Sequence, residues 1–444
     1  MTDVSMLGGD ASRSQIPHGV QDRFLGEALR RREAEAALRS TFDCWGYREV
    51  IPPTFEYFEN LAVGASPRLR QAMYRFLDRS GNTLALRADF TPQVARIAAT
   101  KLFDQPLPLR CFYVGSLFRY EEPQAGRKRE FTQAGVELIG ASTPAADAEV
   151  VALAIAALEA LGIEGFQVNL GQMAFFRALT RRLPAGAREA IREAIDHKNR
   201  ARLVAALGNA GISAELRGVL LRLPDLVGGR EVLEEAAALG GRLGREGEEA
   251  AAAVERLRQV YALLEGYSVA DRVIVDLSEV RGMDYYTGIT FRGVAPRLGW
   301  PLVSGGRYDD LIAQFGRPLA AVGFGLGIER ALLVQPRREL DDLGQPQVLV
   351  HSCRRRACLA LVQRLRQQGC RVELDVAEPG KADLEQTARQ RGIRRTLRCV
   401  DGIWLLTEEG RTRRLTEAEL LRLAKGWPGG AEPQPGAPGE GRGT

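Results

Sequence analysis

Histidine is scarce in this chain, with three residues in 444: His18, His197 and His351. None stands beside a partner nucleophile or at the spacing of a metal ligand set, so the sequence gives no support to histidine-based catalysis or metal binding. No metal and no cofactor are expected. No apolar run reaches the roughly 18 residues that a membrane-spanning helix needs. The six cysteines, Cys44, Cys111, Cys353, Cys358, Cys370 and Cys399, are scattered. The nearest two, Cys353 and Cys358, lack the histidine or second cysteine pair of a zinc clamp, and free thiols are expected. With no secretory signal, this cysteine usage suits the reducing cytoplasm. Neither sign of charge dominates: 61 Lys and Arg against 56 Asp and Glu leave +5. So mild an excess permits an anionic partner without demanding one. No short internal repeat stands out.

The chain does have length and apolar content, 45% hydrophobic over 444 residues, enough for about two or three domains. Residues 1–15 are polar and expected to be disordered, as is the Gly/Pro-rich tail at 426–444. A helix is predicted from Glu27 to Trp45, with Leu38, Phe42 and Trp45 on one face. LALRADFTPQVARIAATKL reads as a strand turning into a helix, with Asp89 or Thr91 near the cap and Pro92 in the first turn. Strands are predicted at 108–121 and 130–140, a helix from Pro144 to Leu161, then a short strand, FQVNLG. From about 174 to 264 the pattern is helical and rich in Ala, Leu, Arg and Glu, broken near Pro184, Gly208 and Pro224, and reads as a helical insertion. Strand character resumes at VIVDLSEVRGMDYYTGITFRGVA, and AVGFGLGIERALLV reads as a Gly-rich strand entering a helix. Residues 16–335 thus form a core; after a linker, 347–425 alternate strand and helix (QVLVHS, CRVELDV, DGIWLL) as a small α/β domain.

The segment Phe118–Glu137, FRYEEPQAGRKREFTQAGVE, reads as two antiparallel strands joined by a charged loop. Side chains alternate along a strand, so Phe131, Gln133, Gly135 and Glu137 share one face while Ala134, Val136 and Leu138 share the other. The second set suits a core. The first, two polar groups around a glycine, suits a pocket floor. With Arg119 on the outgoing strand, the segment has the means to grip a zwitterion, since a guanidinium takes a carboxylate and a carboxylate takes a cation.

FRYEEPQAGRKREFTQ resembles motif 2 of class II aminoacyl-tRNA synthetases, and GFGLGIERAL resembles their motif 3 with Arg330 as its arginine. RGMDYYTG and SGGRYDDL resemble two stretches of histidyl-tRNA synthetase. The likeness covers about residues 16–335, and its motifs in order make it specific. It implies an α+β fold, a class II synthetase-like antiparallel sheet flanked by helices, normally dimeric. The family has a paralogue without synthetase activity, the regulatory subunit of ATP phosphoribosyltransferase, and several stretches favour it. LRADFT stands where the synthetase usually reads LRPEGT, so Asp89 replaces a glutamate and is shorter by ~1.5 Å, and Phe90 replaces a glycine. Glu122 stands where arginine is usual, and Thr132 where histidine is common. IPHGVQD and LRADFTPQVAR resemble the regulatory subunit. The domain at 347–425 resembles an anticodon-binding domain only in element order and reads as a degenerate relative.

The resemblance places a histidine ligand as follows: Asp89 and Thr91 on its ammonium, Arg119 and Gln133 on its carboxylate or amino group with Arg281 nearby, Glu137 and Tyr286 on the imidazole nitrogens, and Tyr285 in the wall. Arg119, Glu121, Arg127, Arg281 and Arg330 match nucleotide or adenylation positions of the synthetase. Glu121, Arg127 and Arg330 therefore mark a residual nucleotide site, or else ion pairs that hold the fold. Bland readings stand beside these. Asp89 suits a helix N-cap, Glu137 a buried ion pair with Arg281 or another arginine, Tyr285 and Tyr286 the core, Gly305-Gly306-Arg307 a turn with a salt bridge, and Arg127–Arg129 and Arg354–Arg356 solvated surface. The implied protein has no catalytic residues of its own. It pairs with a short-form ATP phosphoribosyltransferase catalytic subunit in a hetero-oligomer, an octamer, self-associates as a dimer and takes L-histidine as effector, with no membrane and no tRNA partner. The competing reading is histidyl-tRNA synthetase itself.

Overall fold

The computed structural model describes residues 15–122, 127–241, 243–280, 285–336, 345–352, 356–376, 383–400 and 402–427. The expected disorder of 1–15 and 426–444 falls almost wholly outside these residues. The chain divides into two compact units, one of Met1–Asp22 and Arg31–Pro336 and one of Arg23–Arg30 and Arg337–Thr444.

In chain order the strands of the first unit are β1 (Arg48–Glu49), β2 (Phe55–Tyr57), β3 (Arg75–Leu77), β4 (Thr83–Leu86), β5 (Leu109–Phe118), β6 (Glu130–Ile139), β7 (Gln167–Gln172), β8 (Val227–Gly228), β9 (Val273–Asp276), β10 (Ile289–Val294), β11 (Val303–Arg307) and β12 (Ala321–Gly327). Nine form one sheet in the order β1-β5-β6-β12-β11-β10-β7-β9-β8. Its middle, from β5 to β7, is antiparallel throughout. The hairpin β5–β6 is the longest pairing, running from Leu109 opposite Ile139 to Phe118 opposite Glu130.

One face of this sheet packs on residues 31–44 of the helix Leu25–Cys44 and on the helix Pro144–Ala160. The second helix is capped by the Thr143 hydroxyl, which accepts from the Ala146 N–H, and Pro144 sits at its first turn. Its buried Val150, Leu153, Ala154 and Leu158 join Leu38, Phe42, Ala134, Val136 and Leu138 in the main core. Ala134, Val136 and Leu138 thus go to the core as alternation requires. Burying them against helix costs no polar group, and each large apolar side chain so buried contributes about 1.5–3 kcal/mol.

The opposite face of β5 and β6 packs on the helix Thr91–Thr100 in a smaller core of Phe90, Val94, Tyr113, Leu117, Tyr286, Tyr308 and Leu311. The region 174–264 is helical, from Met173–Thr180 to Gly244–Gly266, interrupted by β8, which pairs with β9. A separate antiparallel three-stranded sheet has the order β2-β4-β3.

The second unit is a mixed sheet of β13 (Val348–His351), β14 (Val372–Asp375), β15 (Arg395–Val400), β16 (Ile403–Glu408) and β17 (Arg411–Leu415) in the order β14-β13-β15-β16-β17. β13 pairs in parallel with β14 and β15, and the last three strands are antiparallel. Its last helix, Glu417–Ala424, carries a reciprocal capping box between Thr416 and Glu419. Cys44, Cys111, Cys370 and Cys399 are free thiols. Cys358, against expectation, is disulfide-bonded. Missing metal-site spacing excludes a zinc clamp but not a bridge, which asks only that two cysteine Cα atoms come within about 7 Å. Among the described residues no helix is long and apolar enough to cross a membrane.

Candidate ligand-binding site

The site is built on β6. Glu137, Gly135 and Gln133 project from the face away from the main core, and Tyr113 on β5 lies opposite Gly135. The neighbouring strand β12 supplies glycines there. A Cβ on Gly323 would collide with the Glu137 carboxylate and with the Val136 carbonyl, and one on Gly325 with the Gln133 amide. Both polar side chains therefore lie across bare backbone. Gly323→Ala should cost about 1–3 kcal/mol, because the fixed carbonyl cannot move aside as a flexible side chain can. A fall of several degrees in thermal midpoint would show it.

Glu137 is 1% exposed. Thr91, the first residue of its helix, donates its hydroxyl to Oε1 at 2.8 Å. Tyr308, just beyond the end of β11, donates to Oε2 at 2.5 Å. Burial pushes the Glu137 carboxyl up to about 8; the Tyr308 and Thr91 hydroxyls pull it down, and the Asp89 charge adds to the rise. Burial also holds the phenols of Tyr113, Tyr285 and Tyr308 well above their ordinary range, so they stay protonated and act as donors. Asp89, also buried, accepts from the Tyr285 hydroxyl at 3.3 Å and from the Thr91 N–H at 3.4 Å. Among the described residues no lysine, arginine or histidine forms an ion pair with Glu137 or Asp89. Tyr285 completes a ring cluster, 5.2 Å from Tyr286 and 5.5 Å from Tyr308. This end of the site is two carboxylates among phenols, which is chemistry for a cation with hydrogen-bonding nitrogens.

The other end is basic. Arg119 donates from Nε to the Ala88 carbonyl at 2.9 Å and lies 5.2 Å above the Phe131 ring. Arg127 pairs with Glu121 at 3.3 Å and lies 4.2 Å above Trp300. Arg330 is 5.9 Å from the same ring and donates to the Pro301 carbonyl at 3.0 Å. Burial, then the charges of Arg119 and Arg127, pull the Arg330 guanidinium down to about 10. That repulsion marks three guanidiniums in one neighbourhood, where an anion is favoured. Gln133 stands between the two ends on the floor, its Oε1 buried without a hydrogen-bond partner.

The structure thus gathers Asp89, Thr91, Glu137, Tyr285 and Tyr286 into one group and Arg119, Glu121, Arg127 and Arg330 into another; Arg281 lies outside the described residues. Glu137 is satisfied by hydroxyls rather than by a described arginine. Asp89 is not the helix cap, which is Phe90 without a side-chain bond. Phe90 is 1% exposed and fills the floor, stacked on Tyr113 at 4.3 Å with Arg87 over its other side at 4.5 Å. Glu122 is exposed. Arg307 makes a buried ion pair with Asp147 at 2.7 Å inside a strand, not in a turn. Sequence reasoning missed Tyr308, Tyr113 and Trp300. Tyr308 was findable in SGGRYDDL, and Tyr113 by continuing the period-two pattern across the hairpin.

The histidyl-tRNA synthetase family profile matches residues 19–331, so sheet and pocket define a class II histidyl-tRNA synthetase-like protein. A curated relative from Symbiobacterium thermophilum named ATP phosphoribosyltransferase regulatory subunit is 40% identical over 393 residues, covering 87% of this chain and 97% of the relative. The one from Moorella thermoacetica is 41% identical over 381 residues, covering 85% and 96%. The chain belongs to the ATP phosphoribosyltransferase regulatory subunit family. A solved structure described as an ATP phosphoribosyltransferase regulatory subunit/histidyl-tRNA synthetase from Bacillus halodurans is similar at TM-score 0.77 and 32% identity, covering 87% of this chain and 98% of that one. Histidyl-tRNA synthetase from Nostoc sp. matches at TM-score 0.77 and 22% identity, covering 93% and 98%, a likeness of fold.

Proposed function

We propose that this chain does no chemistry itself, pairs with a short-form ATP phosphoribosyltransferase catalytic subunit, and carries the L-histidine site through which the first step of histidine biosynthesis is shut down. The names of the relatives support the regulatory role. The observation that carries the effector reading is the buried Glu137, held at both oxygens by hydroxyls and paired with no described cation. Such a group suits an imidazole ring, with Asp89 toward the ammonium and the guanidinium end toward the carboxylate. Residues with these complementary needs reject analogues that leave one unpaired. Inhibition then requires a free-energy coupling between this pocket and the partner's active site, equal in both directions for binding. Self-association as a dimer is part of the proposal. The three-stranded sheet supports it, since Phe55, Tyr57 and Phe76 share one exposed face.

A second reading, histidine activation and tRNA charging, draws on the three guanidiniums around Trp300 and Phe131. One set of assays separates the two. The purified chain should show no histidine-dependent pyrophosphate exchange and no tRNA charging. Added to a short-form transferase it should raise activity, and L-histidine should then inhibit. Histidylation of tRNA at enzymatic rates would overturn the proposal.

A further inference from the structure

We infer that the effector's imidazole and Glu137 share a single proton in the complex, with Tyr308 setting how tightly Glu137 holds it; this rests on the reading of the pocket as a histidine site. The geometry leaves few other arrangements. Glu137 is 1% exposed, so ionising it beside a neutral ring would leave a buried charge that no cation among the described residues offsets. Protonating both ring and carboxyl would leave two donors facing each other. One proton between them, held as imidazolium–carboxylate or as imidazole–carboxylic acid, satisfies both groups. The elements around Glu137 present Thr91 from the helix, Tyr113 and Cys111 from β5, Tyr308 from the end of β11, and Asp89, Tyr285 and Tyr286 from the loops. The phenols are held protonated, burial pushes the Cys111 thiol up to about 11, and the other carboxylate beside Glu137, Asp89, accepts from the Tyr285 hydroxyl and the Thr91 N–H.

The proton balance follows. Free imidazole binds a proton below about 6.5, and burial sets the empty pocket's Glu137 at about 8. Between these values the protein brings one proton and the ligand none, so binding exchanges none with solvent. Above them neither partner is protonated and binding must take up one proton. Below them both are protonated and binding must release one. Affinity is therefore bell-shaped in pH and falls about tenfold per pH unit on each limb.

Calorimetric titration of the full chain with L-histidine from pH 5.5 to 9, in buffers of different ionisation enthalpy, tests this. The expected result is a plateau flanked by proton release on the acid side and proton uptake on the alkaline side. Tyr308→Phe removes a donor that favours the carboxylate, so its alkaline limb should move to higher pH. A limb set by the ligand's own ammonium would stay in place. Affinity that is flat with pH, or an alkaline limb unmoved in Tyr308→Phe, would overturn the shared proton while leaving the histidine site standing. Absence of binding at every pH would instead sink the site assignment.

Discussion

Glu137→Ala should weaken L-histidine binding at pH 7 by about 30-fold or more, the equivalent of at least ~2 kcal/mol for removing one side of a buried, charge-assisted contact. The loss is not confined to the ligand. The Thr91 and Tyr308 hydroxyls, now bonded to Oε1 and Oε2, would be left in a closed pocket without acceptors. Calorimetry against the unaltered chain, with circular dichroism to establish folding, reads the effect; unchanged affinity would remove the pocket assignment. Glu137→Gln separates charge from shape. Folding raises the Glu137 carboxyl from an ordinary 4.5 to about 8, so across that window the folded chain binds more protons than the unfolded one. Stability contributed by this group is then lost as pH rises, by up to about 1.4 kcal/mol per unit. The amide carries no such linkage, so Glu137→Gln should flatten the decline in thermal midpoint between pH 5 and 8.

The second large effect is expected at Arg307→Ala. Arg307 donates to Asp147 Oδ1 at 2.7 Å, to Asp309 at 3.0 Å and to the Ala141 carbonyl at 3.1 Å, while Arg256 holds the other oxygen of Asp147 at 2.7 Å. The group ties the end of β11 to the helix Pro144–Ala160 and to the long helix Gly244–Gly266. Asp147 is 0% exposed. Removing Arg307 strands part of that buried charge and should cost about 3–5 kcal/mol. For a unit of this size that is a fall of roughly 5–8 °C in thermal midpoint. Asp147→Asn combined with Arg307→Met should cost clearly less than Arg307→Ala alone, because no fully buried carboxylate is left unpaired and the freed partners, Arg256 and Asp309, both reach solvent. Equal costs would place the stability elsewhere. Arg307 also precedes Tyr308, so the single variant should weaken histidine binding at temperatures where it is still folded.

Much of this was legible in the chain, and the exceptions have physical reasons. The hairpin and its two faces follow from period-two alternation, since the same residues that fill the core leave Gln133 and Glu137 on the other side. Strand order was not legible. β12 lies beside β6 although nearly two hundred residues separate them, and local pattern carries no record of such pairings. β15 and β17 went unread because RRTLRCV and RTRRL carry arginines where apolar residues would signal a strand; four of the five residues of β17 are exposed. Tyr308 escaped because its importance lies in a contact with a residue far away in the chain. The resemblance puts Asp89 and Thr91 on a ligand's ammonium; the bonds they make within the protein, Thr91 donating its hydroxyl to Glu137 and Asp89 accepting from Tyr285, join distant segments and leave no trace in local sequence.

Gln133 and Glu137 stand four residues apart on one extended strand, so their backbones are separated by about 13 Å. Their polar ends are closer: the Gln133 amide lies against Gly325, the strand partner of Gly135, while the Glu137 carboxyl lies against Gly323, so the two ends are about one two-residue step, ~7 Å, apart. The strand is hydrogen-bonded on both sides and cannot stretch. The gap between these two polar ends is therefore set by the spacing of the sheet together with the lean of Gln133, and changing it substantially would mean moving one of them by a full two-residue step along β6.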